Sequence, residues 1–360
     1  MRYNTIGIMS GSSLDGIDIV NVEFYHEIKE WKQVIIESDC YPYSKEWEER
    51  LSNLHKATAF EYQLTHHELG KYIGECINDF IDKYKISRKD LLIGSHGHTI
   101  FHEPTKGFTS QIGCGATISA ITNCTTITDL RIGDVAMGGQ GAPIVPIGEQ
   151  YLWPGYTMYL NIGGIANISV PINKKEIIAF DICAANRVLN LLSNKLNQPF
   201  DKDGLIARKG VINRELLKQL NNVPYYQQSY PKTLNNSFGT EFILTIINSY
   251  NISTEDALHT YTEHIAIQVA NVINNHQQKD IINKVLCTGG GSLNIYLLER
   301  MRNYIHDNIQ IEIPGKSIIA YKEAIIMAFI GLLRVLNKTN VLSSVTGSKR
   351  NTSNGCIWNV

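Results

Sequence analysis

The sequence predicts an α/β protein built from two related halves, and three stretches carry that reading. "IGIMSGSSLDGIDIVNVEF" at 6–24 and "YTMYLNIGGIANISVPI" at 156–172 are each a strand-forming run, a Gly-containing turn and a second run. "VLCTGGGSLNIYLLERM" at 285–301 is a strand, three glycines and a helix. Runs rich in β-branched residues mark strands, and the repeated strand-turn-strand plan, with Gly11 and Gly163 at equivalent turns, marks an internal repeat. The expected domains are 1–140 and 141–360. The boundary falls in the Gly- and Pro-rich "DLRIGDVAMGGQGAPIVP" at 129–146, and the final helix is placed to pack back on the first domain.

Composition bounds the function. Hydrophobic residues at 43% and charged residues at 19% of 360 describe an ordinary globular protein. A net charge of −1 argues against partners held by bulk charge, so neither nucleic acid nor a membrane surface is expected. The seven cysteines are scattered without a C-x-x-C pair, which argues against a disulfide framework or zinc knuckle and for a reduced, cytoplasmic setting. No secretory signal is visible at the N-terminus. The apolar run "AIIMAFIGLL" at 324–333 is too short to span a membrane and reads as a buried helix.

Along the chain, the first turn holds more than a hairpin requires. Asp15-Gly16 alone would serve a type I′ turn. Ser10, Gly11, Ser12 and Ser13 add N–H groups and hydroxyls suited to phosphate, and Asp15 and Asp18 add carboxylates suited to a cation. A decorated turn is the plain alternative. From Trp47 to Tyr84 the pattern is helical, with Leu69, Ile73, Cys76, Ile77 and Phe80 on one face. "DLLIGSHGHTIFHEP" at 90–104 reads as a strand running into a polar loop. Its histidines, His96, His98 and His102, suggest a metal site but lack accompanying carboxylates, so a sugar contact and structural roles are expected instead. "STEDALHTYTEHIAIQVANVI" at 253–273 is a helix opened by a capping box from Ser253 to Asp256. After Gly289, Gly290 and Gly291 a helix starts near Ser292 or Asn294, placing its positive end beside the glycines. "YKEAIIMAFIGLLRVL" at 321–336 is a further buried helix, and only the last ten residues are expected to lack order.

Two matching hairpins and a strand-GGG-helix unit form the plan of a nucleotide clamp, each half supplying one phosphate loop. That plan resembles the acetate and sugar kinase, Hsp70 and actin superfamily: two ribonuclease H-like, actin-like ATPase domains with a nucleotide cleft between them. More narrowly, the chain resembles the anhydro-N-acetylmuramic acid kinase family from end to end. The family's "M-S-G-T-S-L-D-G-x-D" appears as Met9 to Asp18 with Ser12 for threonine, and its "G-Q-T-V-x-H" as Gly97 to His102 with His98 for glutamine. "D-F-R-x-x-D-x-A-x-G-G-Q-G-A-P-L-V-P" is nearly intact from Asp129 to Pro146, and "N-I-G-G-I-A-N" is intact from Asn161 to Asn167. "C-T-G-G-G-S-L-N" from Cys287 to Asn294 and "K-E-A" from Lys322 to Ala324 also fit. The departure lies at "FDICAANRVLN", where the family has "F-D-T-G-P-x-N", and at "PKTLNNSFGTEF", where it has "P-K-S-T-G-R-E".

The resemblance implies a phosphotransferase that uses ATP and Mg2+ to open 1,6-anhydro-N-acetylmuramic acid and phosphorylate O6, in peptidoglycan recycling. Asp181 is implied as general base. Gly11, Ser12, Ser13, Leu14, Asp15, Gly16, Ile17 and Asp18 are implied at the phosphates, with Asp15 and Asp18 towards the metal. Asn161, Gly163 and Gly164 form the second phosphate loop, and Gly289, Gly290 and Gly291 seat the adenosine. His98, Thr99, Asp129, Arg131, Asp134, Gly139, Gln140 and Asn186 are implied around the sugar, with Arg131 suited to pair bidentately with its lactyl carboxylate. Domain closure over the substrates and a homodimer are also implied. From the residues alone, Asp181 reads equally as the N-cap of a helix over "NRVLNLL", and Arg131 as an inter-strand salt-bridge partner. Phosphorylation of a different anhydro- or amino sugar, or nucleotide binding without catalysis, are the competing functions.

Overall fold

A computed structural model describes residues 2–11, 14–28, 30–173, 176–235 and 237–359. Ser12 and Ser13, expected in the first phosphate loop, lie outside the described residues. The chain divides into two compact units, Met1–Pro154 with Tyr321–Val360, and Gly155–Ala320.

The first unit opens with an antiparallel meander, β1 (Arg2–Ser10), β2 (Gly16–Glu27) and β3 (Glu30–Pro42). Helices α1 (Lys45–Asn53) and α2 (Ala59–Tyr84) follow. The expected face of α2 is buried, and the helix starts at a capping box in which Thr58 and Glu61 satisfy one another's backbone N–H groups. Strand β4 (Leu92–Ser95) pairs parallel to β1. The expected polar loop after it is instead a small hairpin, β5 (His98–Glu103) and β6 (Phe108–Ile112). Histidines at both ends of its central residues hide that strand from a hydrophobicity pattern. Helix α3 (Gly115–Thr122), strand β7 (Thr125–Thr128) and two short helices, α4 (Ile132–Ala136) and α5 (Val145–Leu152), complete this part. The Gly-rich stretch therefore contains helix as well as loop.

The second unit repeats the plan. Strands β8 (Met158–Ile162), β9 (Ile165–Asn173) and β10 (Glu176–Ala184) form an antiparallel meander. Helices α6 (Asn186–Asn194), α7 (Arg214–Asn221), α8 (Leu244–Asn248) and α9 (Thr254–Asn275) precede β11 (Asn283–Thr288), which pairs parallel to β8. Helix α10 (Ile295–Arg302) and strand β12 (Ile309–Glu312) follow, with β12 parallel to β11. Ser253 caps α9 by accepting from the Asp256 N–H.

The chain re-enters the first unit at Tyr321, inside α11 (Lys316–Val335). It ends with α12 (Ser343–Thr346) and β13 (Cys356–Trp358), which pairs antiparallel to β7. The tail expected to lack order is thus a sheet strand, pinned where Trp358 Nε1 donates to Thr128 Oγ1 at 2.9 Å. Sheet order is β13-β7-β4-β1-β2-β3 in one unit and β10-β9-β8-β11-β12 in the other. Both are a three-stranded meander extended by two parallel strands from its first member, with the antiparallel β13 added at the far edge in the first unit, the duplicated ribonuclease H-like, actin-like arrangement.

Helix α11 lies directly on the first sheet. Gly7 and Gly94 are cross-strand neighbours; a Cβ at Gly7 would fall on the Ala324 carbonyl, and one at Gly94 on that of Met327. Residues 324–333 of the helix are all buried. Among the described residues, no helix is long and apolar enough to cross a membrane. Helix α5 belongs to this unit because Gly148 leaves room for Ile326 and because Lys322 Nζ lies 2.9 Å from Glu149 Oε1. The unit boundary therefore falls after α5, beyond the glycine-rich stretch. The ion pair is buried, and Glu149 Oε2 has no hydrogen-bond partner among the described residues. Breaking such a pair from one side strands a buried charge, whereas apolar replacement of both members avoids that cost. Glu149→Ala should therefore lower the unfolding free energy in urea by about 3–5 kcal/mol, and Glu149→Leu combined with Lys322→Met should recover most of the loss.

Candidate active site

A pocket of about 180 Å³ in the first unit is lined by Met9, Ser10, His96, His98, Thr99 and Arg131. Its walls are the end of β1, the β4–β5 connection and the start of the chain beyond β7. His98 is buried, its Nδ1 2.9 Å from Ser10 Oγ, which in turn lies 2.8 Å from the Tyr43 hydroxyl. Burial pulls the His98 pKa down to about 4. Burial, reinforced by the Arg131 charge, pulls His96 down to about 3. Both imidazoles are therefore neutral near pH 7.

Arg131 donates from Nε to His96 Nε2 at 2.7 Å and from Nη1 to the Gly141 carbonyl at 2.8 Å. Both partners are neutral, and burial lowers its pKa to about 10 against the opposing charge of Glu323. Among the described residues Arg131 has no ion pair, which removes the salt-bridge alternative. Asp134 is fully buried: Oδ2 accepts from the Gly141 N–H and Oδ1 from Thr346 Oγ1, each at 2.8 Å. A Cβ at Gly139 would collide with that carboxylate. Asp134 and Gly139 thus shape the loop, while Gln140 is exposed. Asp129 Oδ2 accepts from Thr128 Oγ1 at 2.8 Å. Of the residues implied around the sugar, the structure brings His98, Thr99 and Arg131 together at the pocket.

In the first loop, Leu14 N–H reaches the Gly11 carbonyl at 3.3 Å. Gly16 has φ 156°, and a Cβ there would lie 2.5 Å from the Tyr41 carbonyl oxygen, so this turn requires glycine. Ile17 is fully buried and serves the core, whereas Asp15 is exposed. Asp18 is partly buried with its pKa raised to about 6, chiefly by burial, opposed by a Cys40 hydrogen bond and reinforced by the charges of Asp15 and Glu323. No cluster of three or more His, Cys, Asp or Glu able to hold a metal exists among the described residues.

The second unit assembles its own group. The carbonyls of Gly163 and Gly164 accept the N–H groups of Asn186 and Ala185 at 3.1 and 2.8 Å, tying the β8–β9 turn to the start of α6. Asn186 Nδ2 donates to the Ile162 carbonyl at 3.1 Å. Gly289, with φ 81°, packs so closely that a Cβ would sit 2.7 Å from that carbonyl. Asn161, Gly163, Gly164, Asn186 and the three glycines are therefore neighbours. Asn294 caps α10 through the Leu297 N–H at 3.0 Å.

Asp181 lies in β10, next to a register shift, and the N-cap of α6 is Ala185 with no side-chain bond. The N-cap alternative is thereby removed. Asp181 Oδ2 accepts from Thr233 Oγ1 and from the Leu234 N–H, both at 2.8 Å, and its carbonyl accepts from the Tyr225 hydroxyl at 2.8 Å. Burial raises its pKa despite the two bonds that lower it. Thr233 and Leu234 come from the weakened "PKTLNN" stretch, and the sequence marked that stretch as divergent without linking it to Asp181. Tyr43 is likewise not marked by the sequence, since nothing local to it distinguishes it.

A family model described as "Anhydro-N-acetylmuramic acid kinase" matches residues 2–360. A protein named anhydro-N-acetylmuramic acid kinase from Mannheimia succiniciproducens is 32% identical over 99% of each chain. One of the same name from Shewanella frigidimarina is 34% identical over 83% of each. Among solved structures, component A of a (R)-2-hydroxyglutaryl-CoA dehydratase from Acidaminococcus fermentans aligns with TM-score 0.46 and 14% identity, over 91% of this chain and 96% of the other. That likeness is too distant to bear on activity.

His96, His98 and His264 have folded values of about 3, 4 and 3 against an ordinary 6.5. Depressed folded values mean that the unfolded chain binds more protons, so their contribution is present above pH 6.5 and lost as pH falls towards 4 and below. Asp18 acts oppositely, its contribution full below 3.8 and lost as pH rises through about 6. Burial also raises Asp181, and the three histidines outweigh the two carboxylates. Urea unfolding at pH 7 and pH 5 should show lower stability at pH 5, and His98→Gln should reduce that difference.

Proposed function

The chain belongs to the anhydro-N-acetylmuramic acid kinase family and is an ATP-dependent kinase of peptidoglycan recycling, and we propose that Asp181 is its general base. The substrate's C1 and O6 are bridged within one molecule, so no free 6-hydroxyl exists. Water attacks C1, the C1–O6 bond breaks, and O6 takes the γ-phosphoryl group of ATP while Asp181 accepts the water's proton. Inverting glycosidases divide such work between two carboxylates; here the phosphoryl group replaces the proton on the leaving oxygen, so one carboxylate suffices. The observation that carries this role is the fixing of Asp181: among the described residues both side-chain bonds fall on Oδ2, which leaves Oδ1 for the water. Burial raises its pKa, which strengthens it as a base.

Gly11, Leu14 and Gly16 in one loop, and Asn161, Gly163 and Gly164 in the other, are assigned to the phosphates, with Gly289–Gly291 assigned to the adenosine. Asp15 and Asp18 would hold Mg2+ or its waters. Burial chiefly raises the Asp18 pKa, with the Asp15 and Glu323 charges adding to it, and a cation would relieve that added repulsion; bound Mg2+ would also neutralise charge on the phosphates. Arg131, without a carboxylate of its own, is assigned to the lactyl carboxylate, beside His98 and Thr99. Asp129, Asp134, Gly139, Gln140 and Asn186 are likewise assigned around the sugar, with Asp134 and Gly139 also shaping their loop. A cytoplasmic homodimer is the proposed setting.

With ATP and 1,6-anhydro-N-acetylmuramic acid, ADP should be released only when the sugar is present, and 18O from labelled water should enter the product at C1. Asp181→Asn should lower kcat by about 10²- to 10⁴-fold; unchanged turnover would refute the assignment. Thr233→Val removes a bond that favours the Asp181 carboxylate, so the acidic limb of the kcat/KM profile should move to higher pH.

A further inference from the structure

We propose that His96 is a positioning residue for the sugar's carboxylate, acting through Arg131; this rests on the assignment of Arg131 to that carboxylate. His96 follows β4 and Arg131 follows β7, and the parallel register of those strands, with Gly94 opposite Ile127, sets the two beside one another. The backbone of His96 is itself anchored, its N–H donating to the Ile8 carbonyl at 3.1 Å, and its side chain is buried. His96 Nδ1 lies 3.0 Å from the Gly97 carbonyl, which can only accept, so Nδ1 carries the proton. Nε2 therefore presents a lone pair, and it accepts the Arg131 Nε–H at 2.7 Å.

The choice of partner matters. A carboxylate at this position would orient the guanidinium equally well but would cancel the charge that an anionic ligand needs. A neutral imidazole of fixed tautomer orients the guanidinium and leaves its charge intact. With Nε held by His96 and Nη1 by Gly141, the remaining N–H groups of Arg131 stay available at the pocket that both side chains line. His96 touches neither the transferred phosphoryl group nor C1 in this scheme. Its loss should therefore weaken binding of the acid and spare the chemical step.

The test uses the full-length protein and two sugars: 1,6-anhydro-N-acetylmuramic acid as substrate, and 1,6-anhydro-N-acetylglucosamine, which lacks the lactyl group, as competitive inhibitor. His96→Leu should raise KM for the acid about tenfold, the cost of one hydrogen bond to a charged group, with kcat within about threefold and the inhibition constant of the second sugar unchanged. His96→Gln, whose side-chain oxygen can accept from Arg131, should restore most of the loss. Should the leucine variant not fold, His96→Asn, too short to reach Arg131, takes its place. Equal losses on both sugars, a fall in kcat without a rise in KM, or a glutamine variant no better than leucine would overturn the proposal. Arg131→Ala separates the two claims. If it weakens both sugars equally, the anion assignment itself fails; if it weakens only the acid while the His96 variants do not, the positioning role alone fails.

Discussion

The first unit depends on the close approach of α11 to its sheet at Gly7 and Gly94. A side chain at either strand position would meet the helix backbone at Ala324 or Met327, so the contact exists only because both are glycine. The approach buries Ile325, Ile326, Phe329 and Ile330 completely, at roughly 1.5–3 kcal/mol for each large side chain. It also fixes which neighbours the helix meets. Lys322 reaches Glu149 of α5, and Glu323 comes near enough for its charge to act on Asp18 and Arg131. The two strands under the helix end at the pocket, β1 in Ser10 and β4 just before His96. Helix packing and pocket geometry are therefore one constraint.

Burial governs the electrostatics of both units. His96 and His98 are held neutral, and Asp18 and Asp181 are pushed up from ordinary carboxylate values. Each group is stabilised by specific partners that orient it without cancelling the property it needs. Arg131 meets an imidazole and a carbonyl and keeps its charge. Asp181 receives a hydroxyl and an N–H on one of its two oxygens. Such buried polar groups are costly when half satisfied, which accounts for the supporting hydrogen bonds to Tyr43, Gly97 and Tyr225.

Duplication is visible in the two sheets, but the turns at equivalent positions are built differently. The β1–β2 turn owes its shape to Gly16 packing against β3. The β8–β9 turn is held by carbonyl bonds to the start of α6 and by glycines packed on Ile162. The altered residues around Asp181 fall in this second arrangement. There the strand carries a register shift, and the support comes from Thr233 and Leu234.

Local pattern was enough for the hairpins at both turns, the buried face of α2, the cap of α9 and the burial of α11, because each depends on residues a few positions apart. The family motifs likewise marked Asp181, Arg131 and His98. Strand β5 was illegible because histidines stand where apolar residues would signal it, and β13 because its order comes from β7, far away in the chain. Side-chain roles were decided by still longer contacts. Asp181 meets Thr233, 52 residues on, and Asp134 meets Thr346, 212 residues on, a bond that ties α4 to α12. The sequence by itself determined which chemical groups are present and which elements carry them. Only the tertiary structure decided which oxygen of Asp181 takes the Thr233 and Leu234 bonds and that Arg131 faces a neutral partner, because both follow from packing between segments whose separation carries no local signal.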